Sequence, residues 1–176
     1  MGLRKGHCYT ERKKSYTRKS KKRAKSYIKT IPPSKIAKYN MGDIHGFNKG
    51  KFKFLVSLIT KATIQIRDNS LEASRQLVNR HLEKNYKTNY YFRVMVYPHH
   101  ILRENKMLTG AGADRMQTGM SQSFGKPTSV AAQVKKGQKL FSVACNKDQI
   151  PFVRTLISKI RPKISGQHSI IVEEIK

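Results

Sequence analysis

The first thirty residues of this chain cannot build a core. They hold 12 Lys or Arg, a single acid (Glu11) and almost no aliphatic side chains. Such a segment buries too little apolar surface to offset the entropy lost on ordering, so alone it is expected to be disordered. What folds must therefore fold downstream. The junction is marked by Ile31-Pro32-Pro33-Ser34, where proline fixes φ and restricts the residue before it. The expected organisation is a basic N-terminal arm, residues 1–31, followed by one domain, residues 32–176, long enough for a single core.

Within that domain the hydrophobic pattern changes period several times. Residues 42–50, GDIHGFNKG, are glycine-punctuated and read as loop. Apolar residues alternate at Phe52, Phe54, Val56 and Leu58, and again at Ile64 and Ile66, predicting two strands. Asn69 is placed to cap a helix with Glu72 at its third position. Leu71, Ser74, Leu77, Val78, His81 and Leu82 then form one helical stripe, with Arg75, Asn79 and Arg80 outward and His81 packing. Residues 90–96 predict a strand with Phe92, Val94 and Val96 on one face and Arg93, Met95 and Tyr97 on the other. Pro98 interrupts the ladder before Ile101 and Leu102.

Residues 130–134 and 140–145 flank Lys135-Lys136-Gly137-Gln138 and read as a hairpin, with Cys145 in phase with Phe141 and Val143 and hence small and buried. A second helix is predicted over 149–160, capped by Asn146 or Asp148, with Pro151 in its first turn and Pro162 beyond its end. Residues 169–175 read as a last strand. The order β, β, α, β, long loop, β, β, α, β predicts an α+β fold: two helices packed on a mainly antiparallel sheet as a sandwich, carrying a basic N-terminal extension and a long glycine-rich loop.

Charge narrows the partners. With 37 Lys and Arg against 10 Asp and Glu, the formal net charge is +27 and the sequence pI about 10.4. A globule so charged repels itself unless a polyanion neutralises it, which places nucleic acid ahead of a merely solvated basic surface. An anionic membrane would attract it too, but no stretch approaches the ~20 apolar residues of a spanning helix, and no membrane partner is expected. The basic N-terminus lacks the apolar stretch of a secretory signal, though its composition leaves a transit peptide open. Cys8 and Cys145 belong to no CxxC pair, arguing against zinc and for a reducing compartment. In the arm, cations can pair with phosphates while Tyr9, Tyr16 and Tyr27 stack on bases or sugars. The competing reading is a solubilising tail that contacts nothing.

The stretch 103–127, RENKMLTGAGADRMQTGMSQSFGKP, fits neither a core nor a connection, because structureless loops beyond roughly 12–15 residues in compact domains are usually functional or disordered. Four glycines (Gly110, Gly112, Gly119, Gly125) and three methionines (Met107, Met116, Met120) accompany Arg103, Lys106, Arg115 and Lys126. Glycine lets the backbone reach positive φ and approach a partner closely. The loop reads as a probe extended towards a polyanion.

Catalysis needs a base, a nucleophile or a metal on a rigid element, and the candidates are poor. Glu173 and Glu174 would point to opposite faces of a strand. His99-His100 lacks the spacing of a helical zinc site, and a structural, stacking or phosphate-facing role suits it better. Gly125-Lys126-Pro127-Thr128 puts proline where a phosphate loop needs the hydroxyl that holds magnesium, and Gly110-Ala111-Gly112 lacks the third glycine of a dinucleotide fingerprint. No enzyme activity, cofactor or metal is expected.

The residues NKMLTGAGADRMQTGM followed by FGKP, with LEASRQLVNRHLEK and FRVMVYPHHILRENKML upstream and AAQVKKGQKLFSV downstream, resemble the large-subunit ribosomal protein family called L-ten-e in archaea and eukaryotes, the counterpart of bacterial L-sixteen. The resemblance covers roughly residues 32–174, with Cys8 and Tyr9 matching a Cys-Tyr pair in the family's arm. Between Glu11 and Thr30 the chain is longer and richer in lysine than the family pattern. The absence of a C-terminal Trp-Gly-Phe segment points to an archaeal member.

The resemblance implies a cytoplasmic structural constituent of the large ribosomal subunit, binding large-subunit rRNA near the peptidyl transferase centre and contacting neighbouring ribosomal proteins. It further implies that the loop helps position tRNA acceptor arms. The residues expected at rRNA are Arg4, Lys5, Tyr9, Arg12, Lys13, Lys14, Arg18, Lys19, Lys21, Lys22, Arg23, Lys25, Arg103, Lys106 and Lys126. The tRNA-proximal loop would be Gly110, Ala111, Gly112, Ala113, Asp114, Arg115, Met116, Gln117, Thr118 and Gly119. Arg115 and Gln117 would reach phosphates or 2′-hydroxyls, and Asp114 would pair with Arg115 or Arg103. A free-standing basic tRNA- or RNA-binding protein outside the ribosome is the alternative, and a loop that only braces rRNA is a second.

Overall fold

The computed structural model describes residues 5–11, 20–105, 120–121 and 123–175. Its elements in chain order are β1 (Asn40–Gly42), α1 (Ile44–Asn48), β2 (Phe54–Thr60), β3 (Ile64–Arg67), α2 (Asp68–Tyr86), β4 (Tyr91–Val94), β5 (His100–Glu104), β6 (Lys126–Val134), β7 (Lys139–Cys145), α3 (Ile150–Ser158) and β8 (His168–Glu174). Single 3-10 turns lie at Gly6–Tyr9, Arg23–Lys25, Lys147–Gln149 and Arg161–Lys163.

The fold is α+β. Its strands form two antiparallel sheets instead of the one expected, with orders β1-β4-β7-β2-β8 and β3-β6-β5. α2 packs on the three-stranded sheet, α3 on the five-stranded sheet, and the helices pack on each other. Both sheets and both helices feed one core, in which Leu58, Leu71, Leu82, Phe92, Phe141 and Ile157 are fully buried. At about 1.5–3 kcal/mol for each large apolar side chain, this shared core is what holds the two sheets together.

The predicted hairpin over 130–145 does not form. β6 pairs with β3 and β5, while β7 pairs with β2 and β4, so the turn between them is a corner from one sheet to the other. Its polar groups go to β2: Gly137 N donates to Thr60 O at 2.8 Å and Thr60 N to Gln138 O at 3.2 Å. Gly137 sits at φ +81°. Alternation states which face of a strand is buried and says nothing about its neighbour in the sheet.

Helix α2 begins one residue before the expected cap. Arg67 is the N-cap without a side-chain bond, and Asn69 lies inside the first turn, its N–H donating to Asp68 Oδ1 at 2.8 Å. Asp68 Oδ2 also accepts from Lys35 N at 3.1 Å, which ties the junction segment to the helix. Glu72 makes no capping box. It accepts from Arg75 through Nε at 2.7 Å and Nη2 at 2.5 Å, and Arg75, expected outward, is buried with Nη1 3.1 Å from Met41 Sδ. A guanidinium with a carboxylate partner can enter a core, and periodicity cannot show that partner.

Other expectations match. Phe92, Val94 and Val96 are buried while Met95 and Tyr97 are exposed. Asn146 and Gln149 form a capping box at the turn that opens α3, with Pro151 in the first turn of the helix. Cys145 is fully buried and its thiol pKa is pushed up to about 11 by that burial, whereas Cys8 is exposed. A thiol-alkylating reagent should therefore label the native protein once, at Cys8, and twice only after unfolding, as read by intact mass; double labelling of the native chain would refute the burial of Cys145.

Candidate nucleic-acid interface

The long loop leaves from a neck built by β5 and β6. These strands pair through Ile101↔Val130 and Leu102↔Ser129, then step by one residue so that Arg103 faces Pro127 and Glu104 faces Lys126. Arg103 Nη1 donates to Phe124 O at 2.7 Å, and its guanidinium lies 3.6 Å from the centroid of the half-exposed Phe124 ring. A cation over a ring face contributes about 0.5–1 kcal/mol at an exposed site. Gly125 has φ +76°, and a Cβ there would lie 2.8 Å from Glu104 C and 2.9 Å from Asn105 N. The close backbone approach expected of the loop glycines is thus made, at Gly125, to the chain itself.

The basic arm comes to the same sheet. Gln65 of β3 donates its backbone N–H to Thr10 O at 2.9 Å and its Nε2 to Tyr9 O at 3.1 Å, while Gln133 of β6 donates to Gln65 Oε1 at 3.1 Å. The Arg67 guanidinium lies 5.3 Å from the Tyr9 ring centroid. Farther along, Ser26 Oγ donates to Ile28 O at 2.9 Å, and Ile28 is buried against Ile101 of β5 and Val130 of β6. The arm expected to be disordered alone is thus fastened at two points, because Ser26 and Ile28 give it a small buried patch that composition averaged away.

Of the residues expected at rRNA, Lys5, Lys21, Lys22, Lys25 and Lys126 are exposed, Tyr9 and Arg103 are half-buried, and Arg23 lies in its 3-10 turn. Arg4, Arg12, Lys13, Lys14, Arg18, Lys19, Lys106 and the whole of 110–119, including the expected Asp114 pairing, fall outside the described residues. Arg67 and Phe124 were missing from the sequence reading. Phe124 carried a usable signal, an aromatic beside a glycine in a polar stretch, and Arg67 carried none.

Three carboxylates elsewhere pair with cations of the chain: Asp43 with Lys51 at 3.4 Å, Glu72 with Arg75, and Glu173 with Lys139 at 2.5 Å. Among the described residues no group of three or more His, Cys, Asp or Glu is placed to hold a metal, and no helix is long and apolar enough to cross a membrane. This is the build of a basic scaffold protein, with the described parts of its arm and the neck of its loop on one small sheet.

The chain belongs to the ribosomal protein L16p/L10e family, whose model matches residues 12–171. It is similar to the large ribosomal subunit protein uL16 of Thermofilum pendens, 41% identical over 99% of each chain. It is 40% identical to that of Hyperthermus butylicus, covering 93% of this chain and 89% of the relative. The protein from Methanococcus maripaludis strain C7 is 39% identical over 98% of this chain and 95% of its own. The match reaches well into the arm, beyond the span 32–174 over which the resemblance was first evident. These relatives are archaeal, in keeping with the branch expected, and the family's role is structural and not enzymatic.

Proposed function

We propose that this protein is a structural constituent of the large ribosomal subunit in the cytoplasm, that it binds large-subunit rRNA beside the peptidyl transferase centre, and that residues 110–119 help position tRNA acceptor arms. The observation that carries this reading is the convergence of the arm and the loop neck on the β3-β6-β5 sheet. Cations distant in sequence thereby share one scaffold, and phosphate contacts from both can fix a single orientation on RNA. The neck delivers the loop from a rigid base, and its GAGADRMQTG run supplies one guanidinium, Arg115, among residues small enough for close approach to RNA. Neighbouring ribosomal proteins complete its surroundings.

The test is RNA-protein crosslinking with sequencing on cells expressing a tagged chain, in buffers of rising salt. Crosslinks from 103–126 to large-subunit rRNA near the tRNA acceptor ends support the reading. Crosslinks confined to tRNA, or scattered over messengers, would replace it with a free-standing RNA binder. Arg115→Ala should leave the midpoint of thermal unfolding unchanged while slowing peptide-bond formation in reconstituted subunits; normal rates with normal tRNA occupancy would reduce the loop to a brace for rRNA.

A further inference from the structure

A groove of about 760 Å³ runs between α3 and the edge strand β8, lined by Lys61, Arg154 and Arg161 with Thr155, Ser158 and Ser169 between them. The three cations are exposed, and no carboxylate is among the lining residues. His168 also lines it, 7% exposed, and neither ring nitrogen has a hydrogen-bond partner. An orphaned buried imidazole costs stability unless something outside the chain satisfies it.

The groove sits at the end of the scaffold opposite the loop neck: Thr60 pairs with His168 across β2 and β8, and Thr60 also bonds the corner after β6. β6 runs nine residues from the loop neck to that corner, roughly 26 Å at ~3.3 Å per residue. A single RNA contact at the neck does not reach that far.

We propose that this groove is a second RNA site, holding a stretch of sugar-phosphate backbone from an rRNA segment other than the one at the neck, so that the protein is a strut between two RNA segments. The inference rests on the ribosomal reading above and adds a place and a partner chemistry to it. The cations match phosphates, and Ser158 and Ser169 can donate to the same oxygens, whereas the Thr155 hydroxyl already donates to Pro151 O at 3.1 Å. Burial holds the His168 pKa below the usual histidine value, with the Arg161 charge acting the same way and the nearby Gly166 carbonyl, outside hydrogen-bond geometry, acting against them. Near pH 7 the ring is then neutral and adds no charge of its own to the groove. The groove is open and polar, unlike the enclosed apolar clefts that hold small molecules.

The test uses the full chain bound to large-subunit rRNA, comparing wild type with the double variant Lys61→Gln/Arg154→Gln. A control, Lys38→Gln/Lys49→Gln, removes two exposed charges near the β1 edge of the same sheet, away from β8. Hydroxyl-radical footprinting of the rRNA and a salt series of binding constants are read together. The groove variant should lose one block of protection and keep the others, and the slope of log K against log salt should fall by roughly 1.5–2. A full set of protections with a slope no lower than the control's would overturn the proposal. So would a photocrosslinker at position 154 that captures protein and no RNA in assembled subunits. If wild type protected no large-subunit rRNA at all, the ribosomal reading itself would fall, an outcome distinct from loss at the groove alone.

Discussion

Arg75→Ala is expected to lower the free energy of unfolding by about 3–5 kcal/mol, measured as a shift in denaturant midpoint, because it strands Glu72. The two side chains are only 10% and 13% exposed, and the carboxylate also accepts from Ala37 N at 3.3 Å and Gln76 Nε2 at 3.0 Å. Such a loss is a large fraction of the stability of an ordinary domain, and β1 should loosen with it through Met41. A loss below about 1 kcal/mol would mean that Glu72 finds water where the structure shows it enclosed.

The same pair sets an acid limit. Hydrogen bonds from Arg75 hold the Glu72 carboxyl below the usual carboxylate range, with Ala37 and Gln76 adding to the effect and burial opposing it. The unfolded chain then binds this proton at a higher pH than the folded one. The contribution is present above the unfolded value of about 4.3 and is lost as pH falls through the lower folded value. Arg75→Ala should flatten that part of the stability profile, and an unchanged slope below pH 4.5 would assign it to other carboxylates.

The second large effect is expected at the loop neck. Gly125→Ala places a side chain at φ +76°, costing about 1–3 kcal/mol, and drives its Cβ into the backbone of Glu104 and Asn105. Gly137→Ala is the matched control, since Gly137 has φ +81° but nothing within 4 Å of an added Cβ. The difference between the two variants isolates the crowding. Gly125→Ala should be the less stable, and it alone should impair translation in reconstituted subunits. Equal stability losses would show that strand β5 yields and that the neck is not rigid.

What the sequence disclosed followed from period and length. β2, β4, β7, α2 and α3 are long enough to repeat a pattern, and most of the apolar side chains they bury were legible from it, although β7 is buried on both faces. β1 and α1, three and five residues within a glycine-punctuated stretch, show no repeat. β5 offered only Ile101 and Leu102, and the first half of β6, Lys126 to Ser129, carries no apolar alternation because it forms the neck and not the core. Partnership was the harder loss: the corner at 135–138, the burial of Arg75 and the Arg103–Phe124 contact all depend on a residue distant in sequence. The candidate interface was legible as composition, 12 cations in the arm and a glycine-rich loop, but its gathering on one sheet was not. The groove at Lys61, Arg154 and Arg161 was invisible, since Lys61 lies far in sequence from α3 and the turn after it, which carry the other two.

The neck has a bearing on how such a protein can vary. Because β5 and β6 already hold Glu104 against Gly125, the chain between them begins and ends at nearly the same point. Closing a loop costs only about 0.6 kcal/mol more each time its length doubles. Insertions or exchanges between the clasped ends should therefore be nearly neutral for the body of the protein, leaving reach and composition there to change under translational demand alone.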